Sequence, residues 1–218
     1  MSEIIQCPNC NEYLKGGFMS NSKLLSDNKT KIINEYHDKQ TDSYCNKCGK
    51  DLYEKYKKQM QLEKKQLTEK IGNLISNIPV ISTHSPLNWD YNILEMVTGQ
   101  STTGTGVISE FTSSFTDLIG AQSGRHNQKL KAGEDLCFTQ LRKQALDKGG
   151  NAILATDIDY SELGAGKGMI MVCMAGTAIK LNNTSVLGSD KEQKINELVN
   201  LNDRLRELDL YSIDNLLI

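Results

Sequence analysis

Two CxxC pairs, Cys7-Pro8-Asn9-Cys10 and Cys45-Asn46-Lys47-Cys48, constrain the first fifty residues more than any other feature of the chain. A two-residue spacer lets one tight turn present both sulfurs to the same ion, and zinc favours tetrahedral thiolate coordination. Two facing knuckles make a closed four-cysteine site with no open position for a substrate. A segment this short and this poor in large apolar side chains cannot build its own core, so the metal's role is structural. Two disulfides would need an oxidising compartment, and two pairs speak against a redox CxxC, so the reading is one structural zinc per chain. Pro8 restricts the first turn, and Gly49 is available for positive φ after the second. The polar stretch between the pairs, with a hairpin around Ser26-Asp27-Asn28, reads as an elongated zinc ribbon or loop. His37 between the pairs reads as incidental.

Residues 51–79 follow with Leu52, Tyr56, Met60, Leu67, Ile71, Leu74 and Ile78 recurring every three or four positions, interrupted by Glu63. This is the pattern of one amphipathic helix of roughly 40 Å, ended before Pro79. Its step lies nearer 3.7 than 3.5, which favours packing on a globular surface or a short coiled coil over a long stalk. Composition adds little. Residues 1–80 carry a net charge of about +3 and the remainder about −5, within a total of −2, too mild a balance to name a nucleic-acid or membrane partner. No apolar run is long enough for a membrane span, and the first residues lack the pattern of a signal peptide. The expected compartment is the cytoplasm.

Residues 80–183 alternate strand and helix patterns. Tyr91–Thr98 reads as a strand, and Gly99–Gly106 as a flexible loop that fits neither a P-loop nor a dinucleotide fingerprint. Ser109–Ile119 is mixed, Gly120–Arg125 is a turn, and residues 127–148 form a helix. That helix carries Leu130, Cys137, Phe138, Leu141 and Ala145 on one face, with Gly149 as its stop. Cys137 reads as core filler. Asn151–Tyr160 and Gly168–Leu181 are strands joined by a turn through Gly164 and Gly166. The last strand is apolar on both faces, so a helix covers one and a neighbouring subunit is expected on the other.

Phe111–Phe115, Gly124-Arg125, Gly150-Asn151-Ala152-Ile153, Asp157-Ile158-Asp159-Tyr160 and Gly176-Thr177-Ala178 fall in an order that resembles the YbjQ-like family. The resemblance covers about residues 90–182. It implies a small α+β domain with an antiparallel sheet and a packed helix, assembled into a ring, usually a homopentamer, without established catalytic activity. This chain departs from the family in reading Gly149-Gly150-Asn151 at the turn and in carrying the cysteine module. The family also bears a heavy-metal-binding label. Here, however, His84, His126, Cys137 and Cys173 have no ligand-like spacing.

Asp157 and Asp159 share one face of their strand. They could bind a hard cation or work as an acid–base pair, but paired strand carboxylates are more often solvated or meet an arginine across an interface. Arg125 is the candidate partner, and Arg125 with His126 could hold an anion. After a linker at 182–189, a helix from Asp190 and an apolar end are expected to dock on the assembly or on a partner.

The expected organisation is therefore a zinc ribbon (1–50), a connecting helix (51–79), an α+β oligomerisation domain (80–183) and a helical segment (184–218). The expected function is a homo-oligomeric binding or scaffold protein with a protein or small-molecule ligand. An enzyme with a site between subunits, built from Asp157, Asp159, Arg125 and His126, is the second reading. A nucleic-acid-binding ribbon tethered to a ring is the third.

Overall fold

The computed structural model describes residues 5–14, 22–103, 123–163 and 169–213; the side chains of Thr103, residues 123–126 and residues 212–213 are not described. The chain divides into two compact units, residues 1–70 with 203–218, and residues 71–202. Its elements are α1 (Asp27–Tyr36), α2 (Asn46–Leu74), β1 (Tyr91–Thr103), α3 (Ser123–Asp147), β2 (Ala152–Leu163), β3 (Met169–Leu181) and α4 (Ser189–Ile213). No helix among the described residues is long and apolar enough to cross a membrane.

In the unit of residues 71–202, the three strands form an antiparallel sheet in the order β1-β3-β2, as expected for an α+β chain. Along β3, Val172, Met174, Gly176 and Ala178 are buried, and Cys137, Leu141 and Ala145 of α3 are fully buried as well. Gly99 is where helix and sheet come closest: a Cβ there would lie 2.7 Å from the carbonyl oxygen of Cys137 and 2.9 Å from its Cα. The glycine that reads as loop punctuation is thus a strand residue required by close approach, and β1 continues through Thr103. Gly104–Gly106 lie outside the described residues.

Helix α3 also guards an edge of the sheet. The Gln144 amide donates to the Thr98 carbonyl at 2.6 Å and accepts from the Thr98 N–H at 3.2 Å. Gln140 does the same for Gln100, at 3.1 and 2.8 Å. Two side-chain amides thereby occupy backbone groups that β1 would otherwise present to another strand. The helix ends in a Schellman arrangement, with Gly149 at φ 80°, its N–H on the Leu146 carbonyl, and the Gly150 N–H on the Ala145 carbonyl. Asn151 then works as an extra rung: its amide donates to the Leu181 carbonyl at 3.0 Å and accepts from the Leu181 N–H at 2.7 Å. The Gly150-Asn151-Ala152-Ile153 motif is accordingly architectural.

Among the described residues, the other face of the sheet is covered by a buried cluster at one end only. Ala152, Leu154, Ile179 and Leu181 form a buried cluster with Ile81, Trp89 and Leu187 against it. Farther along, Met171, Cys173, Ala175 and Thr177 are half-buried, and Met96 on β1 is 65% exposed. The expected turn at Gly120–Arg125 is corrected in part, because Ser123–Arg125 open α3. Gly120–Gln122, Ser109–Ile119, Phe111–Phe115 and the turn through Gly164 and Gly166 fall outside the described residues.

In the other unit, the hairpin expected around Ser26–Asn28 is instead the start of helix α1, with Ser26 at the N-cap position and Asp27 in the first turn. Serine, aspartate and asparagine favour caps and turns for the same reason, a short polar side chain competing for backbone N–H groups. Helix α2 buries Tyr56, Met60 and Leu67 in this unit, so the apolar stripe is realised. Glu63, the break in that stripe, accepts hydrogen bonds from Tyr36 at 2.7 Å and from the Arg204 Nε at 2.8 Å. Arg204 also meets Glu35 at 2.7 Å, and Tyr211 donates to Glu35 at 2.8 Å. The end of α4 is thus tied to α1 and α2 by charge and hydroxyl groups. Desolvation raises the Glu63 carboxyl, but the bonds from Arg204 and Tyr36 outweigh it and hold it below the usual range.

Candidate metal centre

The first knuckle is a small hairpin. Gln6 and Tyr13 pair across it, the Cys7 N–H donates to the Glu12 carbonyl, and the Asn11 N–H donates to the Cys7 carbonyl. Asn11, just after Cys10, takes φ 57°, a left-handed conformation asparagine tolerates better than most residues. The second knuckle runs directly into a helix. Leu24 and Cys45 pair as an isolated bridge, α2 starts at Asn46, and the Gly49 N–H donates to the Cys45 carbonyl at 2.8 Å. Gly49 is therefore helical and does not supply a positive φ. What matters is its missing side chain, since a Cβ would lie 2.6 Å from Leu25 and 2.8 Å from Tyr44.

These turns bring the four sulfurs together. The Sγ atoms of Cys7, Cys10, Cys45 and Cys48 all lie within 4.8 Å of one another. Cys7–Cys48 is 3.7 Å, and Cys10–Cys45 and Cys45–Cys48 are each 3.6 Å. A zinc–sulfur bond of about 2.3 Å sets the sulfur–sulfur edge of a tetrahedron at roughly 3.8 Å, so the cluster has the right size for that ion. It is far too wide for disulfides, whose sulfurs sit at roughly 2.0 Å. All four thiols are free, with Cys7 and Cys45 buried, Cys48 partly buried and Cys10 exposed.

The surroundings favour anionic sulfur on one side of the cluster. Burial alone raises the Cys7 thiol, but backbone N–H groups of Cys10, Asn9 and Cys45 outweigh it and bring it down to about 7. The Cys45 N–H reaches the Cys7 sulfur at 3.2 Å. For Cys10, the Glu12 N–H pulls downward, but burial and the other three thiols prevail and push it up to about 12. Burial leads the upward shift of Cys48. Cys7 therefore gives up its proton more readily than an ordinary thiol, whereas Cys10 and Cys48 hold theirs. A divalent cation supplies the charge that lets four thiolates coexist. Apart from Cys7, Leu14 and Cys45, with Leu24 and Cys48 against them, this end of the unit has little apolar core among the described residues.

His37 lies apart from the cluster. Its Nδ1 is 3.1 Å from the Tyr56 hydroxyl, and its ring sits against Tyr44 and Tyr56. Among the described residues, the four cysteines are the one group of three or more His, Cys, Asp or Glu side chains able to share an ion. Cys137 is fully buried with its thiol on the Val172 carbonyl at 3.4 Å, as core filler would be, and burial raises it. Asp157 and Asp159 are both exposed on β2, opposite Ala175 and Cys173 of β3, on the partly covered face. Arg125 and His126 belong to the first turn of α3, but their side chains lie outside the description.

An α+β sheet-and-helix domain joined to a four-cysteine module is the class that fold and site define. Residues 80–182 match a family model, YbjQ-like, described as "Putative heavy-metal-binding". A UPF0145 protein of Anoxybacillus flavithermus (strain DSM 21510 / WK1) is 36% identical over 88 residues, spanning 40% of this chain and 82% of that protein. The chain belongs to the YbjQ-like family. A solved structure from Pediococcus pentosaceus ATCC 25745, a protein with unknown function in the DUF74 family, is 16% identical with a TM-score of 0.32. It covers 48% of this chain and 98% of that one, and a likeness of that size carries no argument. The four cysteines lie outside the matched residues.

Proposed function

We propose that this chain is a zinc-stapled, non-enzymatic binding or scaffold protein that assembles with copies of itself through residues 80–183. The observation that carries the first half is the meeting of four cysteine sulfurs from two knuckles at tetrahedral spacing. All four positions are taken by protein thiolates, which leaves none for a substrate and makes the ion structural. Zinc is preferred over other ions because a closed thiolate set without a redox partner suits it, and the default compartment is the reducing cytoplasm.

Self-assembly is supported by the sheet. Beyond the cluster around Ile179 and Leu181, its second face offers Met171, Cys173, Ala175 and Met96, a row of apolar side chains left half-covered or exposed. Such a face is stabilised when a neighbouring copy of the chain covers it, and in a ring the covering patch is a different surface of that copy. The proposed division keeps residues 1–50 as the metal module, 51–79 as the connecting helix, 80–183 as the assembly domain and 184–218 as the helical end. Light scattering coupled to size exclusion tests the assembly. A mass several times that of one chain is expected at micromolar concentration, and a monomer would refute this half of the reading.

A further inference from the structure

The four sulfurs of the metal centre are not equally sheltered. Cys7 and Cys45 are buried and Cys48 is partly so, whereas Cys10 is exposed. A closed thiolate set has no place for a substrate, but an oxidant needs to reach only a sulfur. A cysteine held by a divalent cation is a thiolate, the form of sulfur that a peroxide attacks. Exposure then decides which thiolate is met first, and in this cluster it is Cys10.

The outcome depends on which thiol can resolve the oxidised sulfur. Cys10 and Cys45 lie 3.6 Å apart, sulfur to sulfur, on different knuckles. Cys7 and Cys48 lie 3.7 Å apart, again across the knuckles. These two contacts use each cysteine once, and a shift of under about 2 Å brings either pair to disulfide length. Cys45 and Cys48 are as close, at 3.6 Å, but a bond between them would leave the exposed sulfur of Cys10 unresolved by its neighbour. Cys7, the other thiol of the first knuckle, has its sulfur held by the Cys45 N–H at 3.2 Å.

We infer that Cys10 is a peroxide-sensitive modification site resolved by Cys45, so that oxidation replaces the metal staple with a disulfide between the same two knuckles. The release of metal rests on the zinc reading; the order of oxidation does not. In the first step the O–O bond of hydrogen peroxide breaks, the Cys10 sulfur takes one oxygen as a sulfenic acid, and hydroxide leaves. In the second, the Cys45 sulfur attacks the Cys10 sulfur, the S–S bond forms, the S–O bond breaks and the oxygen leaves as water. Two thiolates have lost two electrons to one peroxide, and two protons from solvent complete two waters. Cys7 and Cys48 alone are too few to hold the ion, and a second peroxide joins them in the same way.

The test uses the full chain, freed of reductant under inert gas, with its zinc counted first. Hydrogen peroxide is added stepwise, released metal is followed with a chromogenic chelator, and disulfides are mapped by mass spectrometry without reduction. About one zinc should leave per chain, the first linked peptides should join Cys10 to Cys45, and dithiothreitol with zinc should restore the starting state. Cys10→His keeps four ligands, in the three-cysteine, one-histidine set that zinc also accepts, and removes the exposed sulfur. That variant should keep its metal at the peroxide dose that empties the parent; if it binds no zinc, the parent's map decides alone. Zinc retained at excess peroxide, a first disulfide other than Cys10 to Cys45, or release from Cys10→His as fast as from the parent would overturn the inference. A chain that carries no zinc at the outset would instead refute the metal reading, and its disulfide map would still read the order of oxidation.

Discussion

Residues 71–202 bury Val97, Leu141, Ile153, Val172, Ile179 and Leu198 to within a few percent of complete, and among the described residues leave one buried side-chain oxygen, on Thr156, without a protein partner. The unit carrying the cysteines buries thiols and tyrosines beside its aliphatics, and leaves oxygens of Ser22, Asn28, Thr30 and Ser43 without one. The first is held by close packing, to the point that Gly99 admits no side chain. The second leans on directional interactions: the sulfur cluster, and the Arg204 network with Glu35, Glu63, Tyr36 and Tyr211. A packed core punishes changes of volume, and a polar framework punishes the loss of a single partner.

The contrast breaks most visibly at the metal centre. Cys45→Ser replaces a buried member of the cluster, and loss of the proposed structural zinc forfeits an apparent binding energy on the order of 10 kcal/mol, more than a small unit can spare. The expected result is loss of protection in residues 1–70 while residues 71–202 stay protected, as read by hydrogen exchange. Uniform protection throughout would remove the metal from the account.

Gly99→Ala is the matching test in the packed unit. It drives a methyl group into the Cys137 backbone and should cost about 2–3 kcal/mol, seen as a lowered denaturation midpoint with metal content unchanged. Arg204→Met comes next. Removing the cation leaves Glu35 and Glu63 facing each other, and because the network is partly solvated the expected loss is about 2 kcal/mol.

Acid should expose the same network with a smaller effect. Glu63 is held below its ordinary range, so its folded-state value lies under its unfolded one, about 4.3. The stability it contributes is present above the unfolded value and is lost as pH falls through the folded one. Denaturation midpoints measured between pH 6 and pH 3 should fall less steeply in Glu63→Gln than in the parent. Equal slopes would show that the network contributes nothing to acid sensitivity.

What could be read from the residues divides along the same line. Local patterns were legible: the CxxC spacing, the apolar stripe of α2, the Gly149 stop of α3 and the strands that carry the family motifs. Glu63 was visible as a break in the stripe, but its partner Arg204 lies far along the chain, and no local pattern announces such a pairing. Gly99 read as loop because glycine marks both flexibility and close approach, and only the position of α3 distinguishes the two. Ser26-Asp27-Asn28 read as a turn because the same side chains cap helices. The amide rungs from Gln140, Gln144 and Asn151 were illegible for a related reason, since backbone groups that receive them have no sequence signature. Asp157 and Asp159 did share a strand face as their spacing required, yet both lie exposed, with no partner chemistry gathered around them among the described residues.

Elemental analysis of the full chain purified under reductant tests the four-sulfur centre most directly. The prediction is about one zinc per chain, with four thiols shielded from alkylation until a chelator removes the metal. A metal-free chain whose residues 5–70 keep their fold with all four thiols reactive would contradict it.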